Sequence, residues 1–229
     1  MHTHVLVAVV TATIAAGLAL EAAAPVPGQA AANVLVIGVY LWLLSRSSRV
    51  EARRLLLCAG LGFLGEVFLC LIWGLYDYRL GNLPLYVPFG HALLFVAGLR
   101  LSHLAPRWLP TLVVTSSTGA VVALVIFAGH TAELLWFGLF LAVFAVGRDR
   151  AVYSVMLMTA LALEMAGTAP GAWRWAETVP YLGLACGNPP FAAGAFYCLL
   201  DLWVLSSTRL VRRLEGWRPE LGHEVPQLP

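Results

Sequence analysis

The sequence predicts an all-α, polytopic membrane bundle of about eight transmembrane helices, set out as two parallel four-helix repeats. Three observations carry this. Of 229 residues, 60% are hydrophobic and 11% charged, and the mean hydropathy is +0.83, values that a water-soluble domain of this length does not reach. Apolar runs long enough, or nearly so, to cross a hydrocarbon core of roughly 30 Å recur along the whole chain. Two distant segments also share one pattern of glutamate, paired aromatics and Gly-Asn-x-Pro.

The runs fall near residues 5–24, 31–45, 55–76, 85–102, 109–128, 134–147, 151–167 and 189–208. The first ends in small residues that suit signal-peptide cleavage but lacks a basic n-region, so it reads as a retained helix. The second, sixth and seventh are short, which leaves a count of seven open. Within the third, Glu66 is the only charge between Leu55 and Tyr76. The fourth and eighth begin beside Pro84 and Pro88, and Pro189 and Pro190, residues suited to helix starts. The fifth holds Thr115 to Thr118, "TSST", whose hydroxyls can bond backbone or a neighbouring helix. One transmembrane domain, 1–229, is expected, with possible repeats 1–104 and 105–211 and a flexible tail, 212–229.

All fourteen basic residues are arginines. Arg46, Arg49, Arg53 and Arg54 follow the second run, Arg100 and Arg107 the fourth, Arg148 and Arg150 the sixth, and Arg209, Arg212, Arg213 and Arg218 the eighth. Only Arg79 and Arg174 fall opposite, so the positive-inside rule predicts a multi-pass cell-membrane protein with both termini cytoplasmic. The net charge of +2 reflects that bias and gives no reason to expect nucleic acid. No C-x-x-C spacing occurs among Cys58, Cys70, Cys186 and Cys198; Cys70 and Cys186 fall near the outer level, where a bridge is permitted.

Aligning Gly81-Asn82-Leu83-Pro84 with Gly187-Asn188-Pro189-Pro190 brings His91 onto Tyr197 and Phe95 onto Asp201. Upstream, Glu66 precedes Tyr76 and Tyr78 much as Glu164 precedes Trp173 and Trp175. Copies an even number of helices apart have the same orientation, hence a parallel repeat about an axis along the membrane normal.

An ionised carboxylate at mid-membrane costs about 2.5 to 3.5 kcal/mol on insertion scales, so Glu66 and Glu164 must face protein or water. At 1.5 Å per residue, Glu66, Glu164, His91 and Asp201 fall within a slab about 9 Å deep. Ala59, Gly62, Glu66 and Cys70 share one helix face, a small-residue stripe that admits a close neighbour or a ligand. The expected site is a central, outward-open cavity with Glu66, Glu164, Asp201 and His91 as catalytic candidates. Tyr76, Tyr78, Trp173, Trp175, Tyr197, Asn82 and Asn188 are the substrate-binding candidates. The outer aromatics also suit an interfacial belt or a wall that stabilises positive charge. Neither a metal nor a cofactor is expected: His130 and Glu133 lack the second histidine of a metal site, and "GLGFLG", Gly60 to Gly65, has no strand before it.

The run "EMAGTAPGAWRW", Glu164 to Trp175, resembles the E-x-x-G-x-x-x-G-x-(aromatic)-x-(aromatic) signature of integral-membrane carotenoid biosynthesis proteins of the bacterioruberin-type hydratase family. "YDYRLGNLPLYVP", Tyr76 to Pro88, is similar to that family's aromatic stretch before a proline-containing helix start. The first copy departs from the pattern, with Leu69 where a glycine would stand. The resemblance implies proton-initiated addition of water to an isoprenoid double bond, with an acidic residue as donor. Integral-membrane terpene cyclases, similar in size and in their buried acids, imply related chemistry.

The residues thus predict acid-base chemistry on a lipophilic substrate, with membrane lipids as the surroundings, and the resemblance implies that it is hydration, cyclisation or isomerisation of an isoprenoid. A proton-coupled or facilitative transporter is the alternative, since parallel repeats with midplane acids suit it equally. A non-catalytic membrane scaffold is the third reading. Oligomeric state is not specified by the sequence.

Overall fold

The computed structural model describes residues 2–216; Met1 and residues 217–229 of the predicted flexible tail lie outside the described residues. Eight α-helices stand in this segment: α1 (Thr3–Ala23), α2 (Pro25–Arg46), α3 (Arg49–Glu66), α4 (Tyr86–Ser102), α5 (Leu109–Ala128), α6 (Ala132–Val146), α7 (Arg150–Thr168) and α8 (Gly194–Gly216). Six spans are long and apolar enough to cross a membrane, and α4 and α6 are shorter apolar helices. This is an all-α bundle with the character of a multi-pass membrane protein.

One small sheet interrupts the all-helical plan. Strands β1 (Tyr76–Tyr78) and β2 (Trp173–Trp175) pair antiparallel, with Tyr76 opposite Trp175, Asp77 opposite Arg174 and Tyr78 opposite Trp173. Gly74 and Gly171, each two residues before its strand, take φ of +74° and +73°, a left-handed turn that glycine makes without a Cβ clash. Alternation along the strands turns the four aromatic rings inward, where they are buried, and leaves Asp77 and Arg174 exposed.

Several contacts made by α1 to α4 have counterparts among α5 to α8. At the arginine-rich end, Glu51 near the start of α3 pairs with Arg100 of α4 at 2.6 Å, and Asp149, the residue before α7, pairs with Arg209 of α8. Asn33 of α2 accepts the backbone N–H of Tyr86 as α4 begins, at 2.8 Å. Glu133 of α6 accepts those of Phe191 and Ala192 just before α8, at 2.6 and 2.9 Å. α4 packs on α7 as α8 packs on α3, and α2 packs on α4 as α6 packs on α8.

Two departures matter. The chain after Glu66 continues as a π-helical turn, Val67–Ile72, while α7 stays α-helical through Thr168. Glu66 lies eight residues before Gly74, and Glu164 seven before Gly171. A wider i→i+5 turn absorbs that one extra residue and keeps the aromatic pair within reach of its glutamate. Secondly, α1 packs against α2 and α4, whereas α5 packs against α6 and α7.

Candidate functional site

Glu66 and Glu164 are 5% and 4% exposed, and each is surrounded by polar partners drawn from its own half. The hydroxyls of Tyr76 and Tyr78 both donate to Glu66 Oε2 at 2.8 Å, and His91 Nε2 lies 2.8 Å from Oε1. The indole N–H groups of Trp173 and Trp175 donate to Glu164 Oε2 at 2.8 and 2.9 Å, and the Tyr197 hydroxyl donates to Oε1 at 3.1 Å. Aromatic-x-aromatic is the spacing that serves this: in a strand, residues i and i+2 face one side, so both polar tips reach one carboxylate.

The two half-sites abut. The rings of His91 and Tyr197 lie 4.8 Å apart and those of Tyr76 and Trp175 4.9 Å apart. The expected small-residue face of α3 is where His91 packs, since a Cβ on Gly62 would stand 3.4 Å from its ring. Both glutamates line a cavity of about 60 Å³ against Ile14, Gly17 and Leu18 of α1. They also line a larger one of about 390 Å³ among α3, α6 and α8, walled by Trp136, Phe196 and Trp203.

The partners differ in what a proton can do. Indole N–H groups only donate, so Glu164 Oε2 accepts two hydrogen bonds whatever its charge state. Tyrosine hydroxyls and an imidazole nitrogen can donate or accept, so the Glu66 surroundings accommodate either a carboxylate or a carboxylic acid. His91 Nδ1 is buried without a hydrogen-bond partner.

Not every candidate joins the cluster. Asp201 is buried on α8 one turn beyond Tyr197, yet lines neither cavity, and its Oδ2 has no partner. Depth along a helix sets its height but not the direction of its side chain, so the expected fourth member stands apart. Asn82 and Asn188 also line neither cavity. Asn82 exchanges hydrogen bonds with Gln29 of α2, and Asn188 accepts the backbone N–H of Trp175 at 3.1 Å, bracing the ribbon. The chamber expected to open outward has the strand pair laid across one end, with the four rings turned in. Cys70 and Cys186 are separate free thiols.

Two contributors escape a reading from sequence. Glu21 on α1 is wholly buried and accepts from the Tyr86 hydroxyl at 2.7 Å. Glu133, considered only as a poor metal ligand, serves the start of α8. Glu133 and the proline-marked start of α8 were both visible; their meeting was not. Among the described residues no group of three or more His, Cys, Asp or Glu side chains is arranged to hold a metal ion. Comparison with protein-family models, curated proteins and solved structures gives no match, so what the site does must be inferred from its geometry.

Proposed function

We propose that the chain is a membrane-embedded enzyme performing acid-base chemistry on a lipophilic, alkene-bearing substrate, with Glu66 as proton donor and Glu164 as acceptor. The carrying observation is the difference between two matched sites: every partner of Glu66 can accept a proton, whereas Glu164 Oε2 meets two indoles that cannot, and only its Oε1 has a partner that can, Tyr197. An internal duplication, residues 1–104 and 105–211, produced the pair; the recurrent strand, cap and ion-pair geometry supports it. All eight helices cross the membrane, both termini lie in the cytoplasm, and the ribbon faces outward, as the arginine distribution requires.

In the reaction, the Glu66 O–H bond breaks and its proton bonds one alkene carbon through the π electron pair, leaving a cation on the other carbon. Ring faces of the aromatic pairs and the Glu164 carboxylate stabilise that cation. It collapses when Glu164 removes a proton from a neighbouring carbon, or takes one from an attacking water; attack by a second double bond of the substrate gives a ring before the same loss. The proton returns from Glu164 to Glu66 through the Tyr197 hydroxyl and His91, whose ring centroids lie 4.8 Å apart, once that hydroxyl turns onto His91 Nδ1, which has no partner in the resting structure. Asp201 is left outside this scheme. The similarity to the carotenoid hydratase signature agrees with hydration as the outcome.

The transporter reading draws on the same parallel repeat, but the ribbon across one end of the chamber favours chemistry over passage. Neutral lipids extracted from cells expressing the protein test the proposal. A product formed by the wild type and missing with Glu66→Gln or Glu164→Gln supports it. Unchanged extracts, together with solute flux into vesicles that Glu66→Gln abolishes, would replace it with transport.

A further inference from the structure

The two cavities beside the glutamates occupy corresponding places in the two halves, but only one is filled by protein. On the first side α1 packs on α4 and presents Ile14, Gly17 and Leu18, leaving about 60 Å³. On the second side α5 lies on α6 and α7 instead, and about 390 Å³ remains among α3, α6 and α8, a size in the range of roughly 300 to 1,000 Å³ typical of small-molecule sites. Its rim residues Phe68, Leu135 and Trp203, one from each of the α3 continuation, α6 and α8, are 49%, 40% and 51% exposed. In a membrane these face hydrocarbon.

The lining carries no arginine or lysine; its ionisable side chains are the Glu66 and Glu164 carboxyls, the Tyr76 and Tyr197 hydroxyls and His91, whose Nε2 is already engaged with Glu66. An anionic head would find no cation free of a carboxyl partner there and would meet the Glu164 carboxylate in a low-dielectric chamber. The matching space in the other half holds aliphatic side chains, which states the chemistry this one suits.

We infer that the larger cavity is a lateral portal through which an uncharged, elongated apolar molecule enters from the bilayer, taking the place that α1 fills in the other half. Anionic lipids of the same chain, such as fatty acids or prenyl diphosphates, are rejected. This rests on the proposed acid-base reading for its purpose, but its test does not.

Gly65 lines the portal, and a Cβ added there meets nothing within 4 Å, so a side chain at this position fills the space without disturbing a neighbour. The test photolabels the purified full chain in lipid nanodiscs with two diazirine-bearing probes of equal length, a long-chain alcohol and the corresponding carboxylate. The alcohol is expected to label residues 61–73 or 193–203 several-fold more than the carboxylate does, and Gly65→Trp is expected to suppress that labelling. Leu135→Trp, at the rim, does the same should Gly65→Trp fail to fold. Equal labelling by the two probes, or labelling that both tryptophan variants leave intact, overturns the inference. Glu66→Gln separates the two ideas: it keeps labelling while product is lost. Labelling in a protein that forms no product would leave the portal standing without the chemistry.

Discussion

His91 and Tyr197 face each other with ring centroids 4.8 Å apart, each bonded to the glutamate of its own half. The Tyr76 and Trp175 rings, 4.9 Å apart, are another place where the two carboxylate sites meet, but only Tyr197 and His91 serve as proton carriers in the proposed reaction. Tyr197→Phe removes the hydroxyl while keeping the ring. In the proposed reaction the first turnover draws on Glu66 alone and should be unchanged, and steady-state turnover should fall roughly 100-fold, the low end of general acid-base contributions. Burst and steady-state measurements on the same preparation check this; equal losses in both phases would remove Tyr197 from the return path.

Replacing Glu66 with glutamine keeps an oxygen to accept from the two tyrosines and an N–H₂ to donate to His91. Its thermal stability should therefore stay near that of the wild type while activity falls by roughly 100- to 10,000-fold. Unfolding in detergent and product assays, run side by side, separate a chemical role from a structural one.

Gly167 lies against the β1–β2 strand pair: a Cβ there would stand 1.8 Å from the Trp173 ring. Gly167→Ala must push Trp173 off Glu164, and overpacking of this kind costs about 1 to 3 kcal/mol. A Tm lower by several degrees and altered tryptophan fluorescence are the expected readings; a wild-type melt would contradict the packing.

Glu133 satisfies two backbone N–H groups before α8, so Glu133→Ala leaves both without an acceptor. Each buried orphan costs about 1 to 3 kcal/mol. Glu133→Gln keeps one acceptor oxygen and should recover part of the loss, an ordering of the three melting curves that a merely charged role would not give.

Cys186, in the connection between β2 and α8, is partly exposed, while Cys58, Cys70 and Cys198 are buried. Burial pushes the Cys186 thiol up to about 11, with the Glu133 carboxylate adding to the effect. Thiolate is the reactive form, so alkylation of the native protein should modify Cys186 first and slowly at neutral pH, accelerating about tenfold per pH unit on the way to that value. A rate that levels off below about pH 9 would contradict this environment.

Much of the site was legible in residue types and their spacing. Glutamate inside an apolar run is conspicuous, and Gly-Asn-x-Pro with aromatic-x-aromatic aligns the halves without any structure. Helix packing was less legible for a physical reason: lipid is as apolar as a protein core, so hydrophobic periodicity does not say which face of α1 or α5 is covered. The divergence of α1 from α5, and so the portal, could not be read. Asp201 shows the same limit, since its depth was computable and its bearing was not. Tyr76 to Tyr78 and Trp173 to Trp175 suited an interfacial belt equally well, because three-residue strands leave too short a pattern to distinguish from one. The differing distances from glutamate to aromatic pair were plain in the sequence, but only the π-helical turn explains how both pairs reach their targets.

An experimental density map of the protein purified with its native lipids tests the central claim most directly. An elongated molecule reaching from the rim at Phe68, Leu135 and Trp203 to a point between the Glu66 and Glu164 carboxyls is the predicted result. A chamber packed shut with aliphatic side chains, or a continuous water path running from one face of the membrane to the other past the two glutamates, would contradict it.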